Sequence, residues 1–282
     1  FPQLVAGPIV RATDFLPQCE KPKRANRDQF GWGLYFITLG LFQKVVLADG
    51  MLSSASDTVF NFKGESIFIF DAWLGLLAFS AQIFCDFAGY STCAIGVALC
   101  LGFILPDNFR SPYAAIGFSD FWRRWHITLS SWLRDYLYIP LGGNRHGTSR
   151  TLFNLMFTMF LGGLWHGASW TFIVWGLLHG AYLVIEHLLR QNFSGIQWVK
   201  TLGGRFFLTL TTFIFVSIAW VFFRANDFGT AWMIMGSLFN FNGNGDQILP
   251  TLEIIQVMVV VGTLLTTHWY LHEKRLEHAM QD

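Results

Sequence analysis

The chain has 282 residues, of which 53% are hydrophobic, 17% aromatic and 13% charged, against about 25% charged in an ordinary soluble domain. Nineteen Lys and Arg with 18 Asp and Glu are too few to give a globule of this length a polar skin, and a net charge of +1 offers nucleic acid no electrostatic footing. Cys19, Cys85, Cys93 and Cys100 form no C-x-x-C pair, so neither a disulfide framework nor a metal ribbon is indicated. The expected class is an all-α, polytopic integral membrane protein forming one domain over residues 1–282, with the lipid bilayer as its first partner.

The chain opens at Phe1 with no initiator Met and no basic-then-apolar leader, and reads as a piece whose upstream part is missing. Residues 1–29 carry Arg11, Lys21, Lys23, Arg24 and Arg27 and are expected to be a cytoplasmic segment. Residues 30–48 make a first span, followed by a loop over 49–66. Residues 67–105 are too long for one crossing. Gly89, Gly96 and Gly102 suggest a helix followed by a broken or re-entrant piece that returns to its starting side. Residues 151–165 make a short apolar helix, and 169–189, 206–223 and 249–271 make full spans. Residues 232–241 are too short to cross and should lie at the interface, while 240–246 read as an exposed turn cluster. The basic residues sort by side. Arg110, Arg123, Arg124, Arg134, Arg145 and Arg150, then Arg190, Lys200 and Arg205, then Lys274 and Arg275, fall with the N-terminal group. Only Lys63 and Arg224 fall opposite, and Lys44 lies within a span.

Between residues 111 and 150 the composition changes. The run from Ser119 to Asp135 is too polar to span, yet helical spacing gathers Phe118, Phe121, Trp122, Trp125, Leu129, Trp132, Leu133 and Tyr136 on one face. Arg123, Arg124, Ser130, Ser131, Arg134 and Asp135 take the other, which predicts an amphipathic or re-entrant helix capped by Ser119 and ended before Pro140. His126 shares the apolar face. It is either a core histidine bonded to a carbonyl or an ionisable group facing the protein interior. His166 sits in Gly162-Gly-Leu-Trp-His-Gly-Ala168, a glycine-rich break between two apolar helices. Irregular backbone at membrane depth is tolerated where it is buried in protein or lines a cavity, which makes His166 a functional candidate; the alternative is an interfacial histidine beside an aromatic belt. Asp86 is costly in an apolar segment, and either orients a histidine or a polar substrate or caps a helix. The Arg123–Arg124 pair suits phosphates of a cytosolic donor, or of lipid. His268 and His272 have the spacing of a helical metal pair but read as an interfacial polar cap, and His146, His179 and His187 read as structural. No serine-hydrolase elbow, phosphate loop, H-E-x-x-H or dinucleotide fingerprint is present.

Phe118-Ser-Asp-Phe-Trp-Arg-Arg-Trp-His126, continued by Leu141-Gly-Gly-Asn-Arg145 and Gly162-Gly-Leu-Trp-His-Gly-Ala168, resembles the membrane-bound O-acyltransferase (MBOAT) family. The likeness is closest to the alginate O-acetyltransferase membrane subunits of its bacterial branch. Phe1-Pro-Gln-Leu-Val-Ala-Gly-Pro-Ile-Val10, Asp86-Phe-Ala-Gly-Tyr-Ser91 and Trp220-Val-Phe-Phe-Arg-Ala225 match further family stretches, although Thr92-Cys93 stands where many relatives carry Asp-Met. The resemblance implies a ring of transmembrane and re-entrant helices around a tunnel, with further spans before Phe1. It makes His166 the active-site histidine and His126 a second residue needed for activity. The candidates for substrate binding are Asp86, Arg123, Arg124, Trp125, Trp165 and Asn144, and no metal is expected. The activity it implies is transfer of an acyl group, most simply acetyl, to hydroxyls of an extracellular polysaccharide such as alginate. The donor would be a cytosolic thioester such as acetyl-CoA, with no bound cofactor. The expected setting is the bacterial inner membrane, beside a periplasmic acetyltransferase and polysaccharide-secretion machinery. Alternatives are D-alanyl transfer to teichoic acid through a carrier protein, a polar-solute transporter, and a non-catalytic scaffold.

Overall fold

A computed structural model of the chain describes residues 7–192, 199 and 201–272. Phe1 to Ala6 of the first family stretch, Lys200, Lys274 and Arg275 lie outside the described residues. The described residues are helical apart from loops and one isolated bridge between Ile67 and Asp246. In chain order the helices are α1 (Ala12–Cys19), α2 (Arg27–Phe60), α3 (Ile69–Cys100), α4 (Phe118–Arg124), α5 (Ile127–Leu133), α6 (Thr148–Trp165), α7 (Trp170–Asn192), α8 (Leu202–Arg224), α9 (Phe228–Leu238) and α10 (Thr251–Tyr270). Among them α2, α3, α7, α8 and α10 are long and apolar enough to cross a membrane. Their outer surface shows large apolar side chains, among them Phe30, Val45, Phe206, Leu252 and Met258, as lipid requires.

The first span does not stop at residue 48. Asn26 and Gln29 form a reciprocal cap that starts α2. The helix then continues through a π-helical stretch, Phe42–Leu52, and on to Phe60. Ala48, Leu52, Ala55, Val59 and Phe60 are buried, so the expected loop is largely helix with its own packed face.

Residues 67–105 also differ from expectation. They contain one unbroken helix, α3, of 32 residues, which runs antiparallel to α2. The glycines are contact points rather than breaks. A Cβ on Gly89 would stand 2.7 Å from the Gly40 carbonyl oxygen, and one on Gly96 would stand 2.6 Å from that of Gly33. The helix ends where Gly102 turns to φ +82°. One traverse therefore carries the chain back to the end where α2 began, and the basic residues keep their sorting without a re-entrant return. Lys44 joins the two helices by an ion pair to Asp86 at 2.7 Å and pairs within α2 with Asp49 at 3.0 Å, where the π-helical turn brings residues five apart onto one face.

The opposite end of α3 is held by the turn cluster over 240–246. The Asp71 carboxylate accepts the Ile248 and Leu249 N–H groups at 2.6 and 2.9 Å, and Phe68 N–H donates to the Asp246 carbonyl at 3.0 Å. Helix α9 is too short to span, as the sequence suggests, and buries Ala231, Ile234 and Leu238. Helices α6 and α7 form a tight hairpin around facing glycines, Gly163 and Gly176.

The single amphipathic helix expected over residues 118–136 is two helices. Helix α4 ends at Arg124, and α5 begins at Ile127 and runs into a π-helical turn, Arg134–Tyr138. Gly117, not Ser119, precedes α4, and the Ser119 N–H, in the first turn of that helix, donates to the Glu186 carboxylate at 2.9 Å. The break falls on His126, whose φ of +42° is left-handed.

Candidate active site

The turn between α4 and α5 and the turn after α6 meet in the middle of the helical assembly. His126 and His166 line one chamber of about 40 Å³, walled by Phe87, Trp125, Leu129 and Trp220. Aromatic contacts hold both rings. His126 meets Phe87 edge to face at 4.6 Å between centroids. His166 meets Trp175 and Phe223, each at 5.0 Å. His166 follows directly on α6, and its N–H closes the last turn onto the Gly163 carbonyl at 3.1 Å. The glycine after it, Gly167 at φ +150°, lets the chain reverse into α7.

A second cavity of about 580 Å³ shares Trp122, Leu133 and Met159 with the first. It is lined by Arg110, Arg123, Arg134 and Arg190, together with Asn144, Glu186 and His187. An open, basic vestibule thus abuts a small aromatic chamber that holds two imidazoles. That arrangement can hold an anionic head outside and present an uncharged reactive end to a base inside.

The site candidates divide. His126, His166 and Trp125 reach the chamber, and Arg123 and Asn144 reach the vestibule. Arg124 turns away; it bonds Asp120 at 2.8 Å and the His272 carbonyl at 2.6 Å, tying α4 to the end of α10. Asp86 faces Lys44 and lines neither cavity. Trp165 is 61% exposed, beside Trp132. His179 is fully buried against Trp122 and Trp175. His268 is not an interfacial cap: it is buried, its Nδ1 accepts the Tyr113 N–H at 3.4 Å, and its ring packs edge to face on Phe84. Sequence reasoning missed Trp175 and Phe223, whose places in ordinary apolar helices carry no signal. It also missed Asn108, which stands in a Pro-Asp-Asn run that reads as a simple turn.

The long apolar helices thus enclose two histidines, and the family model of the membrane-bound O-acyltransferases (MBOAT) matches residues 1–232. The chain belongs to that family. Among its relatives, the "Probable alginate O-acetylase AlgI" of Azotobacter vinelandii is 42% identical over 274 residues, covering 95% of this chain and 51% of that protein. The peptidoglycan O-acetyltransferase of Helicobacter pylori is 42% identical over 246 residues, 86% of this chain and 46% of that protein. The teichoic acid D-alanyltransferase of Bacillus subtilis is 28% identical over 243 residues, 81% of this chain and 60% of that protein. The chain spans about half the length of the O-acetylating relatives it matches.

Proposed function

We propose that the protein transfers an acetyl group from a cytosolic thioester towards hydroxyls of an extracellular polysaccharide of the alginate type, working in the bacterial inner membrane with its basic end in the cytoplasm. The observation that carries this reading is the convergence of His126 and His166 on one chamber behind an arginine-lined vestibule. A hydroxyl is a weak nucleophile until its proton leaves. His166 takes that proton as the alcohol oxygen bonds to the thioester carbonyl carbon; the carbon–sulfur bond then breaks, and the thiolate is protonated as it departs. General-base help of this kind is worth about 10² to 10⁴-fold. His126, across the same chamber, positions the acyl carbonyl or its attacking partner. The vestibule arginines suit the phosphates of acetyl-CoA, which leaves the uncharged arm to enter the aromatic neck at Trp122.

The relatives named for O-acetylation stand at 42% identity and the D-alanyltransferase at 28%, which favours acetyl over D-alanyl. A periplasmic acetyltransferase and the secretion machinery would carry the group onward. The test is His166→Ala in the full-length protein at normal membrane levels, with labelled acetyl-CoA or a charged D-alanyl carrier as donor. Loss of polymer acetylation is expected. Unchanged acetylation overturns the role of His166, labelling only from the carrier moves the assignment to D-alanyl transfer, and solute flux without acyl transfer replaces it with transport.

A further inference from the structure

We infer that Asn108 is a positioning residue that fixes the imidazole of His126; the inference rests on the proposed role of that histidine. Asn108 is 1% exposed and lies outside every motif singled out in the sequence. His126 precedes α5 but gives that helix no side-chain cap. Asn108 supplies the cap from a distance. Its backbone carbonyl accepts the Ile127 N–H at 2.9 Å, and its Oδ1 accepts the Thr128 hydroxyl at 2.9 Å and the Thr128 N–H at 3.3 Å. Two residues along, the Arg110 N–H donates to the Arg124 carbonyl at 2.9 Å. The segment 108–110 therefore grips the turn on both sides, at Arg124 and at Ile127. Trp125 and His126, between the grips, must take up the reversal: Trp125 is extended, and His126 enters the left-handed region that a residue with a Cβ avoids.

The other end of the Asn108 amide sets the height. Its Nδ2 donates to the buried Ser91 hydroxyl at 3.2 Å. Ser91 lies one turn along α3 from Phe87, the ring on which His126 packs. One side chain thus connects the start of α5 to the α3 surface that receives the histidine. The network continues through the Thr128 hydroxyl, which accepts the Ile9 N–H at 3.0 Å. Its donors and acceptors meet each other inside the protein, and its geometry converges on the turn that aims His126 into the chamber. Because a displacement of about 1 Å at a reacting group can cost about 10²-fold in rate, the bonds of Asn108 matter for turnover as well as folding.

The experiment uses the full-length protein in membranes, with turnover expressed per folded molecule from a thermal-melt or gel-filtration measure. Asn108→Leu keeps the volume and removes the side-chain bonds. It is expected to lower kcat by about 10 to 100-fold while the donor KM moves by less than about threefold. Asn108→Asp retains acceptors for Thr128 and can take a bond from a turned Ser91 hydroxyl, so it should recover part of that loss. Turnover per folded molecule within twofold of wild type for Asn108→Leu overturns the inference. If that variant does not fold, Thr128→Val removes one hydroxyl of the network and should still lower kcat without raising KM; a wild-type kcat there overturns the inference equally. His126→Gln separates the two levels. Wild-type turnover in His126→Gln removes the reading of the site itself, whereas its loss alongside intact Asn108 and Thr128 variants removes the positioning role alone.

Discussion

Gly176→Ala tests whether the α6–α7 hairpin sets the place of His166. A Cβ at Gly176 would lie 2.4 Å from the Met159 carbonyl oxygen and 3.1 Å from the Gly163 Cα. Both are backbone atoms, so no side chain can swing aside. Reaching ordinary contact requires α6 and α7 to separate by about 1 Å, and overpacking of this kind costs about 1–3 kcal/mol. The displaced segment of α6 leads within a few residues to His166, whereas Trp175, the ring it packs on, stands beside Gly176 on α7. The separation therefore opens the contact that fixes the imidazole, and turnover should fall by about 10²-fold. The assay is transfer from labelled acetyl-CoA by full-length protein, paired with a thermal melt. Gly262→Ala is the control, because a Cβ there meets nothing within 4 Å and the helix propensity gain is about 0.5–1 kcal/mol. Wild-type turnover in Gly176→Ala would refute the reasoning, as would equal losses in the two variants.

Arg123→Gln should raise the donor KM several-fold and leave the melt unchanged, since Arg123 lines the vestibule. Its neighbour Arg124→Gln should lower the melt by the worth of its bonds to Asp120 and the His272 carbonyl, about 1.5–3 kcal/mol, and leave that KM alone. Lys44→Met should destabilise more than Asp86→Leu, because it leaves both Asp86 and Asp49 without their cation whereas Asp86→Leu leaves Lys44 its bond to Asp49, and the double variant should cost less than the two losses summed; additive losses would show that the pair does not hold the helices together. Asp227 caps α9 by accepting the Thr230 N–H at 2.8 Å, which holds its pKa below the usual carboxylate value. That contribution is complete above the unfolded value of about 3.9 and is lost as pH falls through the lower folded value, so between about pH 6 and about pH 2 the melt of wild type should drop more than that of Asp227→Asn.

The spans at 169–189, 206–223 and 249–271 are legible because an uninterrupted apolar run has few alternatives in a membrane, and α7, α8 and α10 fall on them. The misreading of residues 67–105 is instructive. A glycine weakens a helix locally, but it also admits another backbone, and a single segment does not say which use is made of it. The deciding signal lay in a second segment. Gly33 and Gly40 are spaced as Gly89 and Gly96 are, and the two pairs meet across the α2–α3 seam. Spacing matched between segments, rather than the glycines of one, marks a packed pair.

The two histidines differ in the same way. His166 was legible because its neighbours in sequence make its geometry: Gly167 follows it where the helix ends, and an apolar run resumes after Ser169. His126 was legible as a residue but not as a turn. Nothing between Trp122 and Leu129 breaks a helix, and helical spacing places the histidine on an apolar face. Its left-handed backbone is imposed by hydrogen bonds to Asn108 and Arg110, from a segment that local pattern cannot connect to it. Local sequence thus determines where the chain can bend without cost, and tertiary bonds determine where it bends against its preference. The second kind of bend holds an imidazole only while its bonds persist, which is why Asn108 should matter to the chemistry as much as an atom lining the chamber.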